Sequence, residues 1–118
     1  MGDPDFRCGV EVTLAVMGGK WKGLVLWHLR LKTLRFAQLQ RRLRTVTQKM
    51  LTQQLRELEA NGLVHRQIYA EVPPRVEYSL TDEGRKVVPI LDMMCQWGQE
   101  YLQKTEGVKL SCTDEQDV

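Results

Sequence analysis

The sequence predicts a mainly α-helical domain that carries one small β-hairpin. Three observations predict it. Apolar residues recur at helical spacing in several separate stretches, starting near Val10, Trp21, Phe36, Leu51 and Val87. Arg75–Leu80 alternates instead, with Val76, Tyr78 and Leu80 interleaved with Glu77 and Ser79. Just ahead of it, Pro73-Pro74 cannot donate ladder hydrogen bonds, so this pair must form the tip of a turn. A chain of 118 residues supports one hydrophobic core and not two.

The elements follow in order. Residues 1–7 are short, polar and proline-containing, which predicts a mobile lead-in. Val10, Leu14 and Met17 form a first amphipathic helix that stops at Gly18-Gly19. A second helix starts near Lys20. Its apolar residues, Trp21, Leu24, Val25, Leu26, Trp27 and Leu29, fall on nearly every face, as expected of a helix packed on several sides.

Lys32-Thr33 interrupt the pattern, and Phe36, Leu39 and Leu43 restart it on a short helix whose other face carries Gln38, Arg41 and Arg42. Thr47 is placed to cap a longer helix striped by Leu51, Leu55 and Leu58, which ends at Asn61-Gly62. Two extended segments come next, Leu63–Tyr69 and Arg75–Leu80, joined by the proline turn. Thr81, followed by Asp82 and Glu83, opens a last helix. This helix is expected to run to about Gln103, with a bend at Pro89. Its apolar residues, among them Val87, Val88, Ile90, Leu91, Met94, Trp97 and Tyr101, cover a wider face than one core needs. Residues 104–118 predict a mobile, acidic tail.

Composition excludes several function classes. With 42% hydrophobic and 27% charged residues the chain is ordinary globular material and not a disordered segment. No stretch reaches the roughly 18 apolar residues of a membrane helix, and no charged, then apolar, leader opens the chain, so a cytoplasmic protein without membrane contact is expected. The three cysteines, Cys8, Cys95 and Cys112, are widely spaced and lack the pairing of a metal site. No metal and no cofactor are expected. Neither His28 nor His65 has a nearby nucleophile or carboxylate pattern, and Gly18-Gly19 lies between helices and not after a strand, so no catalytic residues are assigned.

Net charge is only +2, but its distribution is uneven. Between residues 35 and 66, Arg35, Arg41, Arg42, Arg44, Lys49, Arg56 and Arg66 stand against Glu57 and Glu59. This suits a local phosphate-binding face. Short helix, tight turn, longer capped helix and hairpin is the order of a winged helix-turn-helix, whose second paired helix enters the major groove of DNA. With Leu51, Leu55 and Leu58 turned inward, that helix presents Gln48, Lys49, Thr52, Gln53 and Arg56. Gln pairs with adenine, Arg and Lys with guanine, and Thr with base edges or the thymine methyl. Arg35, ahead of the first paired helix, is placed for phosphate contact, and Arg75, at the wing, is placed to reach the backbone or the minor groove. Thr47 serves either as a cap or as a DNA contact, and Arg75 either pairs with Glu71 or Glu77 or reaches the backbone. A winged helix used for protein contact is the competing reading.

Five motifs then occur in order: Cys8-Gly-Val-Glu, Gly18-Gly-Lys-Trp-Lys, Arg35-Phe-x-x-Leu, Gln48-Lys-Met-Leu-Thr-Gln-Gln-Leu-Arg-Glu-Leu and Val72-Pro-Pro-Arg-Val-Glu-Tyr-Ser-Leu-Thr. Together they resemble the HxlR-type regulators, relatives of the MarR group, over about Cys8 to Leu102. The resemblance implies a winged-helix transcription factor occupying residues 8–103 that binds a two-fold symmetric operator as a homodimer. It also implies that the N- and C-terminal helices form the dimer interface, through Val10, Leu14, Val88, Ile90, Leu91, Met94, Trp97 and Tyr101, shared between core and partner. In several members resembling this chain a cysteine just before the first helix senses oxidants or electrophiles. Cys8 occupies that place, where a helix N-terminus and Arg7 favour thiolate. Cys112, in the tail, is the expected resolving partner, and Cys95 is expected to be a small core residue.

Overall fold

A computed structural model describes residues 5–110. The described elements are α1 (Gly9–Met17), α2 (Lys22–Leu29), β1 (Leu34–Arg35), α3 (Phe36–Leu43), α4 (Gln48–Ala60), β2 (Val64–Tyr69), β3 (Arg75–Leu80), α5 (Asp82–Arg85) and α6 (Val88–Glu106). The core forms where the leucine stripes predicted for the paired helices meet α2. Val25, Leu26 and Leu29 of α2 pack with Leu39 and Leu43 of α3 and with Leu51, Leu55 and Leu58 of α4, all buried. Leu24 faces outward from α2, so that helix is enclosed on fewer sides than its composition predicts.

The turn between α3 and α4 is tight. Arg44 closes α3 with φ +63° and ψ −75°, and the Thr45 N–H donates to the Leu43 carbonyl at 2.7 Å. This three-residue turn is a strained conformation for a residue with a Cβ. Thr47 then caps α4, its side-chain oxygen accepting from the Met50 N–H at 3.1 Å. At the far end Gly62, with φ +81°, lets the Leu63 N–H reach back to the Leu58 carbonyl at 2.9 Å.

Three strands, and not two, form the sheet, in the order β1-β3-β2 with both pairings antiparallel. The predicted hairpin is β2–β3, running from Val64 opposite Leu80 to Tyr69 opposite Arg75. The additional strand, β1, places Leu34 opposite Tyr78 and Arg35 opposite Glu77. Two residues carry no periodic signal, so this strand was not readable in advance. It ties the start of α3 to the wing.

The last helix is also divided differently from the expectation. Thr81 caps a single turn, α5, by accepting from the Gly84 N–H at 3.0 Å while its hydroxyl donates to the Gly62 carbonyl at 2.6 Å. Gly84 is required there, since a Cβ would stand 2.2 Å from the Leu63 carbonyl oxygen. The chain breaks at Lys86-Val87 and restarts as α6, with Pro89 in the first turn and not at a mid-helix bend. A proline tolerates that position because the first-turn N–H groups have no intrahelical partner. Leu91 is the buried residue of α6, which extends past Gln103 to Glu106. Among the described residues no helix is long and apolar enough to cross a membrane.

Candidate nucleic-acid interface

The predicted reading face assembles on α4. Leu51, Leu55 and Leu58 turn into the core, which leaves Gln48, Lys49, Gln53 and Arg56 exposed and Thr52 half-buried on the opposite side. With Thr47, Glu57 and Ala60 these residues line one open groove along the helix. Thr47 is exposed, and its oxygen holds the helix cap. The groove therefore offers amide, hydroxyl and cationic groups from one rigid element, the donor and acceptor types that base edges complement.

Glu57, in the sequence simply an acid opposing the basic stretch, links this face to α2. Its Oε1 lies 2.6 Å from Lys22 Nζ, at the start of α2, and its Oε2 accepts from Gln53 Nε2 at 3.2 Å. The hydrogen bond from Lys22, then that from Gln53, then the Lys22 charge hold the Glu57 carboxyl below its ordinary value. The Gln53–Glu57 half of this chain was readable as an i, i+4 pair. Lys22 was not, because only packing brings the two helices together.

The remaining predicted contacts, Arg35 and Arg75, do not line the groove. Arg35 is exposed at the N-terminus of α3, where its backbone N–H donates to Gln38 Oε1 at 2.8 Å. Arg75 is held within the wing. Its guanidinium lies 3.2 Å from Glu71, 3.7 Å from Glu77 and 4.0 Å over the Tyr69 ring. Arg66 pairs with Glu59 at 3.2 Å and fastens the end of α4 to β2.

Exposed apolar side chains also occur on two other helices. Val10 and Leu14 of α1 and Ile90, Met94, Trp97 and Tyr101 of α6 are exposed, and Trp97 and Tyr101 stack with centroids 4.9 Å apart. Met93, not singled out in the sequence, is 72% exposed beside them. Leu91 is 5% exposed and Val88 packs half-buried against the core, so these two side chains are used within the chain.

Cys8 is an exposed free thiol at the N-cap of α1, with Glu11 in the first turn accepting from the Arg7 backbone N–H. Cys95 is half-buried on α6, which corrects its assignment as a small core residue. The correction follows from α6, which meets the core near Leu91 and leaves it thereafter. Cys112 lies outside the described residues. Among those described, no three His, Cys, Asp or Glu side chains are grouped to hold a metal ion.

Comparison with known proteins gives one answer. The HxlR-like helix-turn-helix family matches residues 16–106. An uncharacterized HTH-type transcriptional regulator of Methanothermobacter thermautotrophicus is 54% identical over 101 residues, covering 86% of this chain and 77% of its own. Among solved structures, the redox regulator HypR in its reduced form superposes with a TM-score of 0.80 at 48% identity, covering 86% of this chain and 100% of its own. Its oxidized form gives 0.76 at 53%, covering 79% and 96%. The reduced transcriptional regulator YodB from B. subtilis gives 0.70 at 30%, covering 88% and 100%. The fold is therefore a winged helix-turn-helix, and the chain belongs to the HxlR-like helix-turn-helix family of transcriptional regulators, not to an enzyme family.

Proposed function

We propose that this regulator acts in the cytoplasm as a homodimer that binds a two-fold symmetric operator, and that modification of Cys8 controls the affinity. The observation that carries the DNA-binding part is the exposed groove face of α4, where Gln48, Lys49, Gln53 and Arg56 stand opposite a fully apolar inner stripe. Arg35 adds a phosphate contact beside the N-terminus of α3. The reading of a dimer is supported by the exposed apolar side chains of α6, where a stacked Trp97–Tyr101 pair follows exposed Met93 and Met94, together with Val10 and Leu14 of α1, because large exposed apolar groups of this kind mark association surfaces. Two such chains related by a dyad would present their α4 helices about one helical turn of DNA apart.

The switch rests on the exposure of the Cys8 thiol on α1 and on similarity to HypR, a redox regulator. Because α1 belongs to the proposed interface, a modified Cys8 would alter how the two subunits sit, and with it the spacing of the α4 helices. A change of roughly 2 to 3 kcal/mol suffices for a switch, at 1.4 kcal/mol per tenfold in affinity. The test is fluorescence anisotropy on the DNA upstream of the gene, with dithiothreitol and then with diamide or a quinone. Binding lost on oxidation and retained by Cys8→Ser is the expected result. Binding indifferent to oxidant would remove the switch and leave the regulator.

A further inference from the structure

Glu57 is the acidic residue within the α4 groove, a surface otherwise suited to phosphates and bases. Its two oxygens face different partners. Oε1 lies 2.6 Å from Lys22 Nζ, whose side chain is only 13% exposed, and Oε2 accepts from Gln53 Nε2 at 3.2 Å. A polar chain thus runs from the start of α2 through Glu57 to the exposed amide of Gln53.

A carboxylate only accepts hydrogen bonds, so it decides which end of the Gln53 amide turns toward it. The nitrogen is favoured, because the flipped amide would set Oε1 against a carboxylate oxygen. The amide nitrogen has two hydrogens. With one given to Glu57, the other remains beside Oε1. That donor and acceptor pair complements N7 and the N6 amine of adenine in the major groove. Lys22 neutralises the carboxylate, which would otherwise repel nearby phosphates, and by engaging Oε1 it fixes the carboxylate so that Oε2 faces Gln53.

We propose that Glu57, held by Lys22, is the positioning residue that fixes the Gln53 amide for adenine and so sets the base preference at one position of each half-site. This rests on the reading of α4 given above.

The test measures the affinity of the full chain for the upstream DNA and for versions with each base pair of a half-site replaced in turn, alongside bulk non-specific DNA. Gln53→Ala should flatten an adenine preference of roughly tenfold at one position. Glu57→Gln should lose most of that same preference and add nothing on a Gln53→Ala background. Its affinity for non-specific DNA should rise, because a negative charge has left the groove. Lys22→Met should reproduce the loss of preference from the other end of the chain. A merely structural Glu57 would weaken all DNA alike. The inference is overturned if Glu57→Gln keeps the wild-type preference at the Gln53-dependent position, or if Gln53→Ala alters no preference. Wild-type protein without any base preference would remove the α4 reading itself, and the present inference with it.

Discussion

Leu55 is 1% exposed at the centre of the inner stripe of α4, between Leu51 and Leu58. Leu55→Ala should lower stability by about 2 to 5 kcal/mol, the range for a leucine whose removal leaves a cavity, as read by urea unfolding. The Lys22–Glu57 pair gives a pH-dependent effect of known sign. The folded Glu57 carboxyl titrates below its ordinary value of 4.5, so the stabilisation is complete above that pH and disappears as pH falls through the lowered value. Lys22→Met should therefore be less stable than wild type at pH 7, and the two should converge in acid. An unchanged difference down to pH 2 would show that the pair is not its source.

At the scale of elements, the turn between α3 and α4 and the cap that follows it set how α4 leaves the core. Arg44 holds φ +63° and ψ −75°, a conformation costing about 1 to 3 kcal/mol for a residue with a Cβ. Glycine relieves that strain but adds about 0.5 to 1 kcal/mol of unfolded-chain entropy. Arg44→Gly should on balance stabilise the domain by about 1 kcal/mol in thermal unfolding. Thr47→Ala removes the oxygen that caps α4 and should cost about 1 kcal/mol. These helices were legible in the sequence because Leu39 and Leu43, and Leu51, Leu55 and Leu58, repeat at helical spacing. The wing was legible because Pro73-Pro74 punctuate two extended runs. β1 was not, since two residues have no period and only their pairing with β3 makes them a strand. The division of the last helix was missed for a related reason. Thr81 signalled a start correctly, but nothing in the spacing showed that one capped turn would close before Pro89 opened another helix.

For the whole molecule, α6 projects from the core and leaves Met93, Met94, Trp97 and Tyr101 uncovered. That excess was visible in the sequence as an apolar face too wide for one core. Which residues turn inward was not, and Leu91 and Val88 go to the core because only the first turns of α6 meet it. Trp97→Glu should leave the monomer fold intact, since the side chain is 65% exposed, and should shift sedimentation from dimer to monomer. Unchanged sedimentation would place the dimer contact elsewhere. We propose that the exposed face of α4 reads DNA. The most direct measurement of it is anisotropy of wild type and Arg56→Ala on the upstream DNA, with excess competitor and a series of salt concentrations. Wild type should bind through the competitor, with log affinity falling linearly against log salt. Arg56→Ala should be about 1 to 3 kcal/mol weaker while remaining folded. Equal binding by the two proteins, or binding that does not respond to salt, would contradict the account.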